Sequence, residues 1–198
     1  MSELWSLALA YLLGAVPSGL LLVRWTRGED VRRIGSGNIG ATNVVRAAGW
    51  KAGLAVLAAD AAKGYLAVWL AGWIGEDSAT WLAAAMAAAV AGNTLNVFLR
   101  LRGGKGFATA AGAMLALAPL PAAALAVVFF VTAALTRHVS AGSIATAISA
   151  PLALWIIEHP GPAPVALVAA AAALILYRHA GNIRRLREGS EPVFRLRK

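Results

Sequence analysis

The 198-residue chain contains no cysteine, which excludes disulfides and thiolate metal sites. Acids are scarce: nine Asp and Glu stand against eighteen Lys and Arg, for a formal net charge of +9. Charged residues make up only 14% of the chain and histidines number three. The clustered Asp metal sites and paired His that membrane phosphatases and alcohol phosphotransferases need are missing, so neither a metal nor a cofactor is expected. The N-terminus, Met1-Ser2-Glu3-Leu4-Trp5, lacks the basic segment of a cleaved secretory signal. Residues 4–25 therefore read as a retained first span.

Apolar residues dominate instead, at 60% of the chain with a mean hydropathy of +0.69. A water-soluble fold of this size could not hide so much apolar surface. Apolar stretches fall at 4–25, 52–74, 80–99, 107–118, 121–136, 139–157 and 164–178. Pro119 and Pro121 separate the fourth from the fifth, and Pro160, Pro162 and Pro164 precede the seventh. Proline lacks the N–H and stops or kinks a helix, so these are natural breaks. The expected fold is all-α: a polytopic transmembrane bundle of about seven helices forming one domain over residues 1–198.

The charges set an expected orientation. With the N-terminus outside and the C-terminus cytosolic, the inside segments are 24–51, 100–106, 136–138 and 178–198, and they hold 17 of the 18 basic residues. Only Lys63 lies within a span, while Glu3, Glu76, Asp77 and Glu158 fall outside. Lys and Arg are retained on the cytoplasmic side of a membrane protein, so topology accounts for the basic excess and no nucleic-acid partner is expected.

Three inside segments carry polar chemistry. The first, residues 32–46, combines Gly35, Gly37 and Gly40 with Ser36, Asn38, Thr42 and Asn43 as neutral donors and Arg33 and Arg46 as fixed charges. That mixture suits a phosphate, although turn residues among topology-setting arginines would look similar. The second, Arg100-Leu101-Arg102-Gly103-Gly104-Lys105-Gly106-Phe107-Ala108-Thr109, opens the fourth helix from inside, where free N–H groups and the helix dipole favour anions. It is not a P-loop, because Gly follows Lys105 where Ser or Thr is needed. In the third, His179, Asn182 and Arg185 recur every three residues and share a face if the helix continues past Gly181. His179 is the side chain best suited to proton transfer near neutral pH, or it is simply a headgroup neighbour.

Asp60 and Lys63 can pair on one helix face within the second span, bracing a site or touching a ligand. Ser140, Ser143 and Thr146 begin the sixth helix, again inside. The second, fourth and sixth helices thus aim their positive ends at one surface. The expectation is an anion site at the cytoplasmic face, selective for a phosphorylated substrate, with the apolar bundle able to take a lipid tail.

The segments Gly35-Ser36-Gly37-Asn38-Ile39-Gly40-Ala41-Thr42-Asn43, Gly103-Gly104-Lys105-Gly106 and Arg178-His179-Ala180-Gly181-Asn182-Ile183-Arg184-Arg185-Leu186 resemble the three cytoplasmic motifs of bacterial acyl-phosphate:glycerol-3-phosphate acyltransferases. Asp60, Lys63-Gly64 and Val139-Ser140-Ala141-Gly142-Ser143-Ile144 are similar to that family too, and the likeness runs from Gly14 to Phe194. The resemblance implies seven helices in the bacterial inner membrane and a cytosolic site. There acyl phosphate and glycerol 3-phosphate give lysophosphatidic acid and phosphate for phospholipid synthesis. It implies catalytic roles for Ser36, Arg46, His179 and Asn182. Substrate phosphates would be held by Arg33, Gly35, Gly37, Asn38, Thr42, Asn43, Gly103, Gly104, Lys105, Gly106, Thr109, Ser143 and Arg185. Asp60, Lys63, Asn93, Ser140 and Glu191 would support them.

One stretch departs from the family pattern: Asn93 and Asn96 stand where the family usually has His and Pro, in Gly92-Asn93-Thr94-Leu95-Asn96-Val97-Phe98. Asn93 can hydrogen-bond but cannot exchange a proton, so the departure bears on activity. The reaction expected is direct attack of the glycerol hydroxyl on the acyl carbonyl, with the proton passing to His179 or to substrate phosphate. The alternative from the residues alone is a transporter for a small phosphorylated or organic anion, which would need polar residues through to the outer face.

Overall fold

The computed structural model describes residues 2–193. Phe194, Arg195, Arg197 and Lys198, counted above in the family likeness or among the cytosolic charges, lie outside the described residues, as does the Glu3 side chain. The described residues form ten α-helices: α1 (Ser2–Ala15), α2 (Ser18–Arg27), α3 (Ala41–Ala48), α4 (Trp50–Ile74), α5 (Ala79–Thr94), α6 (Phe107–Leu117), α7 (Pro119–Thr136), α8 (Val139–Glu158), α9 (Pro162–Arg178) and α10 (Ala180–Arg187). All seven apolar stretches are mainly helical, the first interrupted at Val16 and Pro17 and the third at Leu95 and Asn96.

Their lengths differ in a way that matters. Among the described residues, five segments are long and apolar enough to cross a bilayer: Leu4–Arg27, Trp50–Ile74, Ala79–Leu99, Pro119–Thr136 and Val139–Glu158. A sixth forms if α9 and α10, which meet at a 60° bend, count as one broken segment. At 1.5 Å per residue, the 11 residues of α6 rise only about 16 Å, roughly half of the ~30 Å hydrocarbon layer.

The first stretch breaks at Pro17, which cannot donate a backbone bond, so the carbonyls around the end of α1 lack their helical donors. Side chains from two other spans reach them. Asn96 Nδ2 donates to the Ala15 carbonyl (2.5 Å), and Lys63 Nζ donates to the Val16 carbonyl (2.8 Å). Lys63 also pairs with Asp60 at 2.8 Å, so its buried charge is neutralised where it caps the break.

Small residues let the helices approach closely. α5 packs against α1, α4, α6 and α9, burying Ala83, Ala85, Met86, Ala89 and Val90. Where α4 meets α6, a Cβ on Gly64 would lie 2.0 Å from the Thr109 carbonyl oxygen, and one on Gly112 would lie 1.9 Å from that of Ala61. Only glycine fits either position. The same contact sets the level of α6: it starts beside the middle of α4, so the glycine loop before it sits sunk between the helices. Large apolar side chains such as Trp69, Leu115, Phe130 and Ile148 point outward, as lipid-facing residues do.

Candidate active site

The segment between α2 and α3 holds its shape through Asn43, which is 2% exposed. Its Nδ2 donates to the carbonyls of Val31 (3.1 Å), Ile34 (2.9 Å) and Asn38 (2.9 Å), and its Oδ1 accepts the Ser36 N–H at 2.9 Å. Asn43 thus knots the loop and has no amide hydrogen left for a ligand, contrary to its expected place among the phosphate donors. Asn38 Oδ1 accepts the Gly40 N–H at 2.8 Å, which leaves its Nδ2 free. The Ser36 and Thr42 hydroxyls and the Arg46 guanidinium have no partner among the described residues.

The glycine loop is built by Asn93 and Arg178. The Gly104 N–H donates to the Asn93 carbonyl (2.9 Å), and the Gly106 N–H to Asn93 Oδ1 (3.0 Å). A Cβ on Gly103 would sit 1.9 Å from the Asn93 carbonyl oxygen, so the backbone can approach only as glycine. From α9, Arg178 donates through Nη2 to the Gly103 carbonyl (2.6 Å) and through Nε to that of Gly104 (3.1 Å). With its carbonyls turned to Arg178, the loop presents Lys105 to the other side.

Lys105 Nζ donates to Asn182 Oδ1 at 2.6 Å, and Asn182 Nδ2 donates to Glu191 Oε1 at 2.6 Å. Ser140 Oγ bonds the same carboxylate oxygen (2.7 Å), and Arg185 Nε bonds Oε2 (2.7 Å). Glu191 thereby ties α8, α10 and, through Asn182, the glycine loop. Burial pushes its pKa up, but the hydrogen bonds from Ser140, Asn182 and Arg185 outweigh that and hold it below the usual value. Burial pulls Lys105 down to about 8; the charges of Arg185, Arg46 and Arg178 act the same way, and Glu191 opposes them.

His179 sits at the joint of α9 and α10 and is 2% exposed. Burial pulls its pKa down to about 4, helped by the Lys105 charge, so the ring is neutral near pH 7. Its Nδ1 lies 2.8 Å from the Ile175 carbonyl, which can only accept. The proton therefore belongs on Nδ1, and Nε2 keeps its lone pair.

These groups converge on one cavity of about 1040 Å³. Ser36, Asn38, Arg46, Lys105, His179, Asn182 and Arg185 line its polar part, and Leu54, Leu57, Met86, Met114, Leu125, Phe129 and Phe130 its apolar part. Thr109 and Thr146 also line it, each with a buried hydroxyl oxygen that has no partner among the described residues. A cationic pocket continuous with an apolar groove fits a phosphorylated head and an acyl tail.

The family model described as glycerol-3-phosphate acyltransferase matches residues 4–189. The chain belongs to the glycerol-3-phosphate acyltransferase family. It is 42% identical over 195 residues to the glycerol-3-phosphate acyltransferase of Geobacter sulfurreducens, covering 98% of this chain and 99% of that one. It is 46% identical over 190 residues to that of Myxococcus xanthus, covering 94% and 96%. Two crystal structures of PlsY (YgiH), an integral membrane glycerol 3-phosphate acyltransferase, superpose on it. The glycerol 3-phosphate form has a TM-score of 0.92 at 36% identity, covering 98% of this chain and 96% of the other. The lysophosphatidic acid form has a TM-score of 0.89 at 35% identity, covering 99% and 97%.

In this acyltransferase most of the residues singled out in the sequence meet. Gly35, Ser36, Asn38, Thr42, Asn43, Arg46, Asp60, Asn93, Gly104, Lys105, Gly106, Thr109, Ser140, Ser143, His179, Asn182, Arg185 and Glu191 all line the large cavity. Arg33, Gly37 and Gly103 do not; they line a second cavity that shares Ser36 and Asn38 with the first. Lys63 stands behind Asp60, engaged with the α1 break. Sequence reasoning missed the Arg178 clamp, whose one signal is a basic residue directly before His179. It also missed the particular apolar residues of the groove, which nothing in the sequence distinguishes from the other apolar positions. The transporter alternative would need a polar path across the bundle; Met86, Leu125 and Val168 line the cavity instead.

Proposed function

We propose that this acyltransferase takes acyl phosphate as donor and joins its acyl group to the primary hydroxyl of glycerol 3-phosphate, giving lysophosphatidic acid and inorganic phosphate. The observation that carries this reading is the single cavity joining Lys105, Arg46 and Arg185 to an apolar groove. Those three cations hold the two phosphates in attack geometry, which is catalysis by positioning. The unengaged Ser36 hydroxyl and Asn38 amide donate to the oxyanion as the carbonyl carbon is attacked. His179 accepts the hydrogen bond of the attacking hydroxyl at Nε2 and orients it. The C–O bond to the glycerol oxygen forms, the acyl–phosphate C–O bond breaks, and the proton ends on the departing phosphate. No acyl-enzyme is needed, because acyl phosphate is already activated.

The site faces the cytosol of a bacterial inner membrane, with seven membrane-associated helices and the N-terminus outside. Supporting this orientation, the segments that meet at the cavity carry most of the Lys and Arg, while the opposite ends carry Glu76, Asp77 and Glu158.

The test uses purified protein in detergent with palmitoyl phosphate and glycerol 3-phosphate. Phosphate and lysophosphatidic acid should appear only when both substrates are present. Turnover with an acyl thioester but not with acyl phosphate would reject the donor.

A further inference from the structure

The second cavity has a volume of about 630 Å³. Its walls carry four guanidiniums, from Arg32, Arg33, Arg102 and Arg178, against one carboxylate, Asp30. Asp30 is spent on Arg32, its Oδ2 lying 2.6 Å from Nη2. Arg178 is fixed by its bonds to the glycine loop. Arg33 and Arg102 have neither a hydrogen-bond nor an ion-pair partner among the described residues. Three arginines thus remain uncompensated on one concave surface, a composition that attracts an oxyanion.

The two cavities are neighbours that share part of their lining. Ser36 and Asn38 line both, Gly104 faces the large cavity, and its neighbour Gly103 faces the small one. No apolar side chain lines the small cavity, so an acyl chain has no place in it. The geometry points to a second oxyanion site here, which holds a small water-soluble phosphate dianion in transit between the aqueous face and the large cavity. The site rests on the acyl-phosphate reading, under which one such dianion, glycerol 3-phosphate, must arrive and another, inorganic phosphate, must leave.

The experiment counts inorganic phosphate bound at equilibrium to the full-length protein in detergent, for the wild type and for the Arg33→Gln/Arg102→Gln double variant. Both positions are exposed and unpartnered, and Arg102→Gln alone serves if the double variant loses its thermal unfolding transition. The large cavity has room for two phosphates, so the reading is the difference: one phosphate fewer per variant chain than per wild-type chain is expected. Equal numbers bound to the wild type and the variant overturn the second site. Kinetics then assigns the traveller. A fivefold or greater rise in the inhibition constant of inorganic phosphate marks the leaving product, and a like rise in KM for glycerol 3-phosphate marks the entering substrate. No turnover with palmitoyl phosphate while the wild type still binds one phosphate more than the variant would count against the donor and leave the site standing.

Discussion

Asn93 Oδ1 accepts the Gly106 N–H at 3.0 Å, while the Asn93 carbonyl accepts that of Gly104. Asn93 is therefore the anchor of the glycine loop. The task it performs is acceptance of a hydrogen bond, which needs no proton exchange. Asn93→Ala would leave the Gly106 N–H buried and unpaired, a loss of about 1–3 kcal/mol. The expected outcome is a fall in kcat/KM of roughly ten- to a hundredfold as Lys105 loses its fixed position. Asn93→His, which can supply an acceptor nitrogen, should retain more activity than Asn93→Ala in parallel steady-state assays.

Lys105 links acidity to substrate capture. With its pKa lowered to about 8, the ammonium is charged below that pH and neutral above it. The kcat/KM for glycerol 3-phosphate should therefore fall as pH rises through about 8. Lys105→Arg keeps its charge throughout and should lose that alkaline limb, whatever its absolute rate. A pH profile with the same limb in both proteins would detach it from Lys105.

His179 is tested by truncation. His179→Ala removes the acceptor at the attacking hydroxyl and should lower kcat by about 10²–10⁴. The KM for glycerol 3-phosphate should change far less, since the phosphate grip lies elsewhere. Wild-type turnover in this variant would end any role for the ring in catalysis.

Glu191 predicts an effect of acid on stability. Its folded-state pKa is lowered, so its contribution is fully present above the ordinary carboxylate value of 4.5 and fades as pH drops below it. Glu191→Gln should lower the thermal midpoint in detergent at neutral pH and flatten the decline on acidification. Because Glu191 orders Asn182 and Arg185, the same variant should raise KM.

The crossing of α4 and α6 gives a steric prediction. Gly112→Val would drive a branched side chain into the Ala61 carbonyl, already only 1.9 Å from an ideal Cβ. Loss of folded, detergent-extractable protein is expected, measured by size-exclusion chromatography against Gly181→Val, where the nearest atom to an ideal Cβ is the end of the Arg185 side chain at 3.5 Å.

The spans and their polar ends were legible because hydropathy and charge are local properties of sequence. The meeting of Ser36, Lys105 and His179 followed from helix parity alone. Other features depend on partners distant in the chain. Pro17 signals a break in the first span, but nothing local says that Lys63 and Asn96 would cap it. Asn43 reads as a ligand donor until Val31, Ile34 and Asn38 are seen to consume its amide. The shortness of α6 was visible in its apolar run, yet its level in the bundle comes from Gly64 and Gly112. Arg178 is one arginine among many until its carbonyl partners are known.

A helix that begins beside the middle of α4 changes where oil and water meet. Sinking the glycine loop beside the middle of α4 brings the polar reactant down to the fatty one. Under the proposed reaction, the greasy donor need never be hauled out of the leaflet, and the new lipid can slip sideways into it without a carrier.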